Sequence, residues 1–549
     1  MVSKRTLSLF IAVLLLLGIV VGCASKDKDG NSASEDVTTE LNENDQQTDE
    51  DTPKPGNPKL PITTEPITVK IWAITGADLV KIAPTRSDTE FHKELEKRTG
   101  VHVEFIHPPI GQEMENLTLM LSSGEYPDIF EFVASYEYPG GLDRGIKDGV
   151  ILRVNELVDK YAPNYKALLD SDPTLRKDII TDEGNIPGFY QIHTTYGNSW
   201  YGPVIRQDWL EDLGLQTPVT YDDWYNVLKA FKEKKGAAAP LMLYNTGFQP
   251  FDVLNAGYGV GQSFYQVDGN VKYGPLEPGY KEYLQMLNKW YKEGLIDPDF
   301  AAKKDFLPSD TFVATGKAGI WFDATARLGV LKMLAKDSNY KLAALPYPVK
   351  KAGDKLGLIG LGTRATYCWA LTSACKNVDT VVKWIDYMYS PEGSMLVSYG
   401  VENKTYTIDA DGKPKFTDLI LKNPDGLNLQ QALYMYAGDI GGGRLLLNEN
   451  REEQGYDPEA LKAVEIWNNS RGDGSNALPD SAKLTAEEGT EFSKVMADIE
   501  TYVRETTLKL ILGEESFANY DAFVNNIKSM GIDRAIELKQ ASLDRYNRR

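Results

Sequence analysis

Cysteine and histidine are scarce in this chain. Its 549 residues include three cysteines and four histidines, and none of them stands in a CxxC, HExxH or other zinc-ligand spacing. The GxSxG motif, the Walker phosphate-binding loop and a Cys–His nucleophile pair are also missing. These absences exclude the common motifs of zinc enzymes, serine hydrolases and ATPases. The abundant Asp and Glu leave one catalytic alternative open, a glycosidase that works with two carboxylates.

The chain is also short of positive charge. Lys and Arg number 59 against 79 Asp and Glu, so the net charge is −20. Such a surface repels nucleic acid and does not favour lying flat on an anionic bilayer. Hydrophobic residues make up 42% of the chain and aromatic residues 10%, which is enough for a large core. The length predicts two or three domains.

The first 22 residues have the layout of a secretory signal peptide. Two basic residues precede a mostly apolar run from Leu7 to Val21, which at about 15 residues is short for a membrane-spanning helix. The order Val-Val-Gly-Cys at 20–23 resembles the bacterial lipobox, in which the cysteine is diacylated and becomes the new N-terminus. We therefore expect residues 1–22 to be removed and Cys23 to anchor the protein to the extracellular face of the cell membrane. A signal anchor that is never cleaved is the alternative.

A polar segment follows this cysteine. Residues 24–51 carry almost no apolar side chains and no aromatic ones, so they cannot bury enough surface to offset the entropy of folding. Five prolines between positions 53 and 66 then favour an extended backbone. We predict that residues 23–64 form a lipidated, disordered tether.

The globular part begins near Ile67 with alternating strands and helices. Apolar residues alternate at 67, 69 and 71 and again at 101, 103 and 105, which predicts two strands. Ser87 and Glu90 have the spacing of a capping box and predict the start of the helix between these strands. A third, almost wholly apolar strand follows Pro127. This order predicts an α/β fold with a parallel sheet and right-handed crossovers.

Two cysteines lie in the globular part. Cys368 and Cys375 are close enough in sequence to form a disulfide or to remain as two thiols. Because Cys368 lies in an apolar, strand-like run from Tyr367 to Leu371, we favour two buried thiols.

Five longer motifs follow one another along the chain. They are LMLSSGEYPDIFEF at 119–132, LVDKYAPNYKALL at 157–169, VIRQDWLEDLGLQTPVTYDDW at 204–224, FVATGKAGIWF at 312–322 and EEGTEFSKVMADIETYVRETTLKLILGEE at 487–515. In this order they resemble the family 1 extracellular solute-binding proteins, the lipoprotein receptors of ABC sugar importers. The resemblance covers roughly residues 65–545 and is closest to the subgroup that binds oligosaccharides and aldouronates.

The resemblance implies a fold of the periplasmic-binding-protein-like type II class, with two α/β lobes joined by a multi-strand hinge and a ligand cleft between them. It places lobe one at 65–200 plus 368–430 and lobe two at 201–367 plus 431–549. It also implies a protein without catalysis or a cofactor that binds an oligosaccharide and delivers it to ABC permease subunits. We expect a monomer. At 401–406, Val-Glu-Asn-Lys-Thr-Tyr departs from the subgroup's Glu-Gly-x-x-Tyr, which leaves the fold intact and bears on the ligand.

A sugar site needs aromatic faces with amides and carboxylates at their rims, in a cleft that closes. We therefore select residues at predicted strand ends and lobe crossings, where open α/β sheets bind ligands. The candidate ligand contacts are Trp72, Phe132, Ser135, Trp200, Tyr201, Asn245, Phe248, Trp321, Asp323, Tyr367, Trp369 and Arg444.

Several of these candidates have a structural alternative. Trp72 suits a core position equally well, and one of Tyr367 and Trp369 is expected to face the core. Arg444 could pair with the carboxylate of an acidic sugar, but a solvated arginine in a glycine loop is the alternative. The tryptophans within helical stripes are predicted core residues: Trp209, Trp224, Trp290, Trp384 and Trp467.

Metal binding has little support in the sequence. Asp409-Ala410-Asp411-Gly412 begins like a calcium loop but lacks the glycine at the sixth and the glutamate at the twelfth position. A looser acidic site between Asp170 and Glu183 is left open. Two other functions also remain open, a lipid-anchored glycoside hydrolase and a peptide-binding receptor on the same fold.

Overall fold

The structure is a computed structural model that describes residues 54–77, 79–133, 137–194, 199–244, 252–303, 310–360, 362–438 and 445–549. Strands and helices alternate over most of these ranges, as predicted. The strands, in chain order, are β1 (Ile67–Trp72), β2 (Val101–Ile106), β3 (Ile129–Phe132), β4 (Phe189–His193), β5 (Tyr201–Arg206), β6 (Ala239–Leu241), β7 (Phe264–Val267), β8 (Asn270–Tyr273), β9 (Ala318–Ala324), β10 (Leu342–Ala344), β11 (Ala365–Leu371), β12 (Tyr406–Ile408), β13 (Pro414–Phe416) and β14 (Leu446–Leu447).

The α-helices range from one turn to more than seven turns. In chain order they are α1 (Glu90–Thr99), α2 (Glu113–Ser123), α3 (Leu142–Lys147), α4 (Asn155–Tyr161), α5 (Pro163–Ser171), α6 (Pro173–Ile179), α7 (Gln207–Leu213), α8 (Tyr221–Lys235), α9 (Pro278–Lys292), α10 (Asp310–Ala314), α11 (Thr325–Leu334), α12 (Val378–Tyr387), α13 (Pro391–Tyr399), α14 (Asp418–Leu421), α15 (Leu429–Tyr436), α16 (Pro458–Ser470), α17 (Ala486–Leu512), α18 (Tyr520–Ser529) and α19 (Ile532–Arg548).

Local sequence signals determine where several helices begin and end. Thr220 and Asp223 form a reciprocal capping box at the start of α8, and Gly236 ends that helix in the left-handed conformation. Pro163 separates α4 from α5, because a proline is tolerated in the first turn of a helix but not in its interior.

The start of α1 differs from the prediction. The N-cap is Thr89, whose hydroxyl accepts a hydrogen bond from the backbone N–H of His92. Ser87 lies outside the helix, and its hydroxyl donates to the carbonyl oxygen of Val103 in β2 at 2.8 Å. The capping box predicted at Ser87 is therefore wrong, since this hydroxyl is used by the neighbouring strand.

A six-stranded sheet forms the centre of the first lobe. Its strand order is β14-β4-β11-β3-β1-β2. The first three strands of the chain are parallel, as predicted, with Ile67 opposite Val101 and Ile71 opposite Ile129. Strand β11 runs antiparallel between β3 and β4. Apolar side chains cover both faces of this sheet, so its strands are buried on either side.

A four-stranded sheet forms the centre of the second lobe. Its strand order is β10-β5-β9-β6, with β5 antiparallel to its two neighbours and β6 parallel to β9. One apolar core joins this sheet to α8, α9, α17 and the C-terminal helices. The predicted core tryptophans Trp209, Trp224, Trp290 and Trp467 belong to this core, and Trp384 belongs to the core of the first lobe.

Among the described residues, the chain passes between the two lobes at three places. Residues 194–200 join β4 to β5, residues 345–364 join β10 to β11, and residues 448–457 join β14 to α16. Two α/β lobes connected by several segments are the predicted fold. The predicted return to lobe two at residue 431 lies too early in the chain, because Leu446 and Leu447 pair with β4 in the first lobe.

The last part of the predicted tether is folded onto the first lobe. Leu60 and Ile62 pack against its core. The side chain of Asn164 bonds both backbone groups of Gly56, and the backbone N–H of Thr63 donates to the carbonyl of Thr99. These apolar contacts and hydrogen bonds together hold residues 54–64 against the first lobe.

Cys368 and Cys375 are both buried free thiols, so the prediction of two thiols is confirmed. Burial raises the pKa of Cys375 to about 12 and that of Cys368 further.

Candidate functional site

The inner edge of each sheet is the edge at which the chain crosses between the lobes. In the first lobe this edge contains the ends of β1, β3 and β4 and the start of β11. In the second lobe it contains the start of β5 and the ends of β6 and β9, since Tyr201 pairs with Ala324 and Leu241 with Ile320. The crossing at 194–200 joins β4 to β5 directly. Open α/β sheets bind ligands at such an edge.

A buried carboxylate organises the edge of the second lobe. Asp323 is fully buried and accepts hydrogen bonds from the indole N–H of Trp321 at 3.0 Å and the backbone N–H of Ala324 at 2.9 Å. The guanidinium of Arg327, one turn along α11, lies 2.9 Å from the same carboxylate. A buried charge needs such partners, because desolvation without them is expensive. Asp323 and Arg327 therefore form a rigid charged pair beside the crossing.

Two tyrosines lie next to this pair. Burial, then Tyr244 and Asp323, raise the pKa of Tyr201 well above its usual value. Burial and Asp323 do the same for Tyr244. Both phenols therefore stay protonated at neutral pH. Among the described residues, no group bonds the buried hydroxyl of Tyr244. A buried hydroxyl left without a partner costs about 1–3 kcal/mol, so this position suits a hydroxyl from a ligand or water.

Trp200 is the exposed aromatic residue of this edge. Half of its side chain, 49%, is open to solvent. Its ring lies 5.6 Å from that of Tyr201, and its carbonyl oxygen accepts the backbone N–H of Thr325 at the start of α11. The indole is thus held at the crossing with about half of its surface exposed to solvent, as stacking on a sugar ring requires.

Polar side chains occupy the edge of the first lobe at the same crossing. Gln191, His193 and Thr366 lie within 3.1–3.2 Å of one another and are largely buried. Arg364 donates to the carbonyl oxygen of His193 at 2.8 Å and to the carboxylate of Asp172 at 2.7 Å. Through the bond from Arg364 to His193, this group of side chains connects the first crossing to the second.

Tyr367 leaves the regular ladder of β11. The pairing register between β11 and β4 shifts between Thr366 and Cys368, and Tyr367 has a φ of 21°. A bulge of this kind turns a side chain away from the direction that the strand would give it, and such distortions collect at functional sites. Tyr367 is half-buried at the inner edge.

A family comparison adds to this geometry. The model of the bacterial extracellular solute-binding protein family matches residues 83–395. The chain belongs to this family. The family predicted from the motifs is thereby confirmed.

Two curated proteins are similar to this solute-binding protein. The fructooligosaccharide ABC transporter substrate-binding protein FusA of Streptococcus pneumoniae is 25% identical over 495 residues, which cover 83% of this chain and 86% of FusA. The lipoprotein LipO of Bacillus subtilis is 27% identical over 368 residues, 63% of this chain and 69% of LipO.

Solved structures also match. The crystal structure of the alginate-binding protein AlgQ2 without calcium ion has a TM-score of 0.66 at 25% identity and covers 88% of this chain and 99% of AlgQ2. The predicted two-lobe fold is confirmed by this likeness.

Five of the aromatic candidates are buried in this solute-binding protein: Trp72, Phe132, Tyr201, Trp321 and Trp369. The indole of Trp72 donates to Asn116 at 2.8 Å, and that of Trp369 donates to Glu131 at 2.8 Å. Phe132 stacks on Phe130 within the first-lobe core. The structure places these three side chains in the core, because the strands that carry them are covered on both faces. Trp321 is also fully buried and acts on the site only through its bond to Asp323.

Tyr201 and the other candidates divide into two groups. Trp200, Tyr201 and Asp323 lie together at the second-lobe edge, and Tyr367 lies at the first-lobe edge. Ser135, Asn245, Phe248, Arg444 and Cys23 lie outside the described residues. Sequence reasoning missed two members of the second-lobe edge. Arg327 could have been found from its spacing of four residues from Asp323 on a helix, and Tyr244 from its place directly before Asn245.

The acidic segment 170–183 does not form a common site. Asp170 pairs with Lys166 and Arg176, Asp172 caps α6 and binds Arg364, and two further aspartates of this segment contact other elements. Within the described ranges, no three side chains of His, Cys, Asp or Glu come together in a way that could hold a metal ion. A helix with the length and hydropathy needed to cross a bilayer does not occur in the part of the chain that the structure describes.

Proposed function

We propose that this solute-binding protein captures an oligosaccharide between the inner edges of its two sheets and delivers it to the permease of an ABC importer. The observation that carries the proposal is the set of side chains gathered at the second-lobe edge. There a half-exposed indole, a charged pair with a buried carboxylate, and a buried hydroxyl that has no partner among the described residues lie side by side. A sugar offers the complementary groups, an apolar ring face and several hydroxyls.

The similar proteins favour the same ligand class. FusA is named as a fructooligosaccharide transporter component and AlgQ2 as an alginate-binding protein. The ligands in both names are chains of sugar units. The ligand contacts that we propose from the described residues are Trp200, Tyr244, Asp323 with Arg327, and Tyr367. Ser135, Asn245, Phe248 and Arg444 remain predicted contacts from the sequence.

Binding without hydrolysis is the second part of the proposal. The carboxylate of Asp323 is surrounded by an indole, a backbone N–H and a guanidinium, so it is held as a recognition group instead of a proton donor. The ligand favours the closed arrangement of the lobes by contacting both of them. Diacylation of Cys23 would keep the protein on the extracellular face of the cell membrane.

A thermal-shift screen tests the proposed ligand class. The panel contains neutral oligosaccharides such as fructooligosaccharides, uronic-acid oligosaccharides and peptides. A ligand at 100 times its dissociation constant stabilises the protein by about 2.7 kcal/mol, which is a readily measured shift. We expect stabilisation by at least one oligosaccharide and a smaller shift in Trp200→Ala. Stabilisation by peptides alone would contradict the proposal, and shortened sugars in the incubation mixture would favour the hydrolase alternative.

A further inference from the structure

The two lobes also touch through a group of charged side chains next to the second crossing. The group joins the last turn of α6 and the turn after it in the first lobe to the end of α19 in the second lobe. We name it the inter-lobe clamp and define it by Asp178 and Asp182 on the first lobe and Arg545, Tyr546 and Arg549 on the second.

Asp182 is the centre of the clamp. One carboxylate oxygen accepts Nε of Arg545 at 2.7 Å, and the other accepts Nε and Nη2 of Arg549 at 2.9 and 2.6 Å. Two guanidinium groups from one helix thus share one carboxylate. These side chains are partly buried, with only 6% of the Arg549 side chain exposed. Salt screens such contacts less than it screens pairs on an open surface.

Each partner of Asp182 is itself fixed in place. Arg545 donates its two Nη groups to the two carboxylate oxygens of Glu488, a residue of the capping box of α17. Arg549 donates to the carbonyl oxygen of Ser481 at 2.9 Å. On the first lobe, Asp143 accepts hydrogen bonds from both ends of the turn that carries Asp182. The clamp therefore joins two rigid supports, one in each lobe.

Asp178 extends the clamp to the crossing itself. One of its oxygens accepts the hydroxyls of Tyr546 and Ser481, both at 2.8 Å, and the other accepts the hydroxyl of Thr363 at 3.1 Å. Thr363 belongs to the second crossing and precedes Arg364, which binds the end of β4. A rotation of one lobe against the other must therefore act on the crossing and on the clamp together.

We propose that Asp182, Arg545 and Arg549 are positioning residues for ligand capture, which limit how far the two lobes can move apart or twist before a ligand arrives. The bonds are short and directional, so a lobe rotation of several degrees about a different axis would break them. The clamp therefore allows the lobes to rotate relative to each other only about an axis that passes through the clamp. When the open protein samples only a narrow range of lobe arrangements, less conformational entropy is lost as the ligand binds and fixes the lobes.

The distribution of distances between the lobes in the ligand-free protein tests the proposal. Spin labels are attached to p-acetylphenylalanine at positions 119 and 333, which leaves all cysteines unmodified. Leu119 lies on α2 of the first lobe and Met333 on α11 of the second, and both are exposed. Pulsed electron–electron double resonance then measures the distances between the two spin labels in the full-length protein.

Asp182→Asn keeps the shape of the side chain and removes its charge. We expect the fraction of molecules outside the main distance peak to rise about three- to tenfold, which corresponds to about 0.7–1.4 kcal/mol. Arg545→Gln should have the same effect, and Asp182→Glu should restore part of the narrow distribution. Raising the salt concentration from about 0.05 to 1 M should broaden the distribution of the unmodified protein but not that of Asp182→Asn.

Arg534→Gln is the matched control. Arg534 lies on the same helix and binds Glu491 with two hydrogen bonds, at 2.7 and 2.9 Å, but both residues belong to the second lobe. This variant should leave the distances unchanged. The proposal is overturned if Asp182→Asn retains the narrow distribution, or if Arg534→Gln broadens it equally. Because no ligand is added, the result does not depend on which molecule the cleft binds.

Discussion

The inner edges of the two sheets use aromatic residues in different ways. In the first lobe, the indoles of Trp72 and Trp369 point into the core, and each donates its N–H to a neighbouring side chain. In the second lobe, Trp200 keeps half of its surface open, and Tyr244 keeps a hydroxyl without a protein partner among the described residues. The two indoles of the first edge are satisfied by their own protein, whereas the half-exposed ring of Trp200 and the hydroxyl of Tyr244 suit contact with a ligand.

This difference follows from how the two sheets are covered. Helices pack on both faces of the six-stranded sheet, so an aromatic residue at the end of one of its strands is still enclosed. Trp200 precedes β5 and lies in a crossing segment, where about half of it is exposed to solvent. An aromatic residue near a strand end is therefore weak support for a sugar site unless part of its surface or a polar group remains free.

The largest loss of stability should come from removing a buried indole at the first-lobe edge. Trp72→Ala should lower the free energy of unfolding by about 3–5 kcal/mol, because it removes a fully buried indole and leaves a cavity. Trp200→Ala should lower it by less than about 1 kcal/mol, since half of that side chain is already exposed. Urea denaturation of both variants checks the comparison. Equal losses would show that the two indoles are not used differently.

The first lobe should also be sensitive to acid. Burial, followed by the charge of Arg86, lowers the pKa of His92 to about 3. Because the pKa is lower in the folded state than its ordinary value of 6.5, this histidine stabilises the fold above pH 6.5, and that contribution is lost as the pH falls towards 3. Between pH 7 and pH 5 the loss should be about 2 kcal/mol.

His92→Gln isolates this contribution from that of the carboxylates. The variant should lose less unfolding free energy than the unmodified protein over the same pH range, as measured by denaturation at each pH. His102→Gln, which changes an exposed histidine of β2, is the control and should follow the unmodified protein. Parallel pH curves for His92→Gln and the unmodified protein would contradict the prediction.

At the second edge, the expected changes concern affinity. Trp200→Ala should weaken binding of the oligosaccharide found in the thermal-shift panel about tenfold, or by about 1.4 kcal/mol, because it removes a stacking surface. Isothermal titration calorimetry measures the change. Val330→Ala, which shortens another exposed apolar side chain in the same lobe, serves as the control. An unchanged affinity in Trp200→Ala would remove the indole from the site.

The smallest effect should come from a single hydroxyl. Tyr244→Phe should weaken the same ligand about threefold, or by about 0.7 kcal/mol, because one neutral hydrogen bond is lost. The free energy of unfolding should stay the same or rise slightly, since the hydroxyl has no protein partner among the described residues. Tyr347→Phe, whose hydroxyl donates to the carbonyl oxygen of Tyr201, should instead destabilise the protein. Loss of stability in Tyr244→Phe would indicate a structural role for this hydroxyl.

Much of the architecture could be predicted from the sequence, and part of the site could not. Period-two alternation located β1 and β2, and the order of elements predicted their parallel pairing. The break at Pro163 and the capping box at Thr220 likewise depend on neighbouring residues alone. The N-cap of α1 was missed since the hydroxyl of Ser87 binds β2, a partner that lies 16 residues away.

By itself, the sequence determined the family, the presence of two lobes and the scarcity of groups for metal or nucleophilic chemistry, because these follow from local patterns and from the order of motifs. Only the tertiary structure decided which indoles are enclosed and that Asp182 joins the last helix of the chain to the first lobe. These features depend on which layers cover a strand and on contacts between residues more than 300 positions apart. Such contacts cannot be predicted from the spacing of residues along the chain.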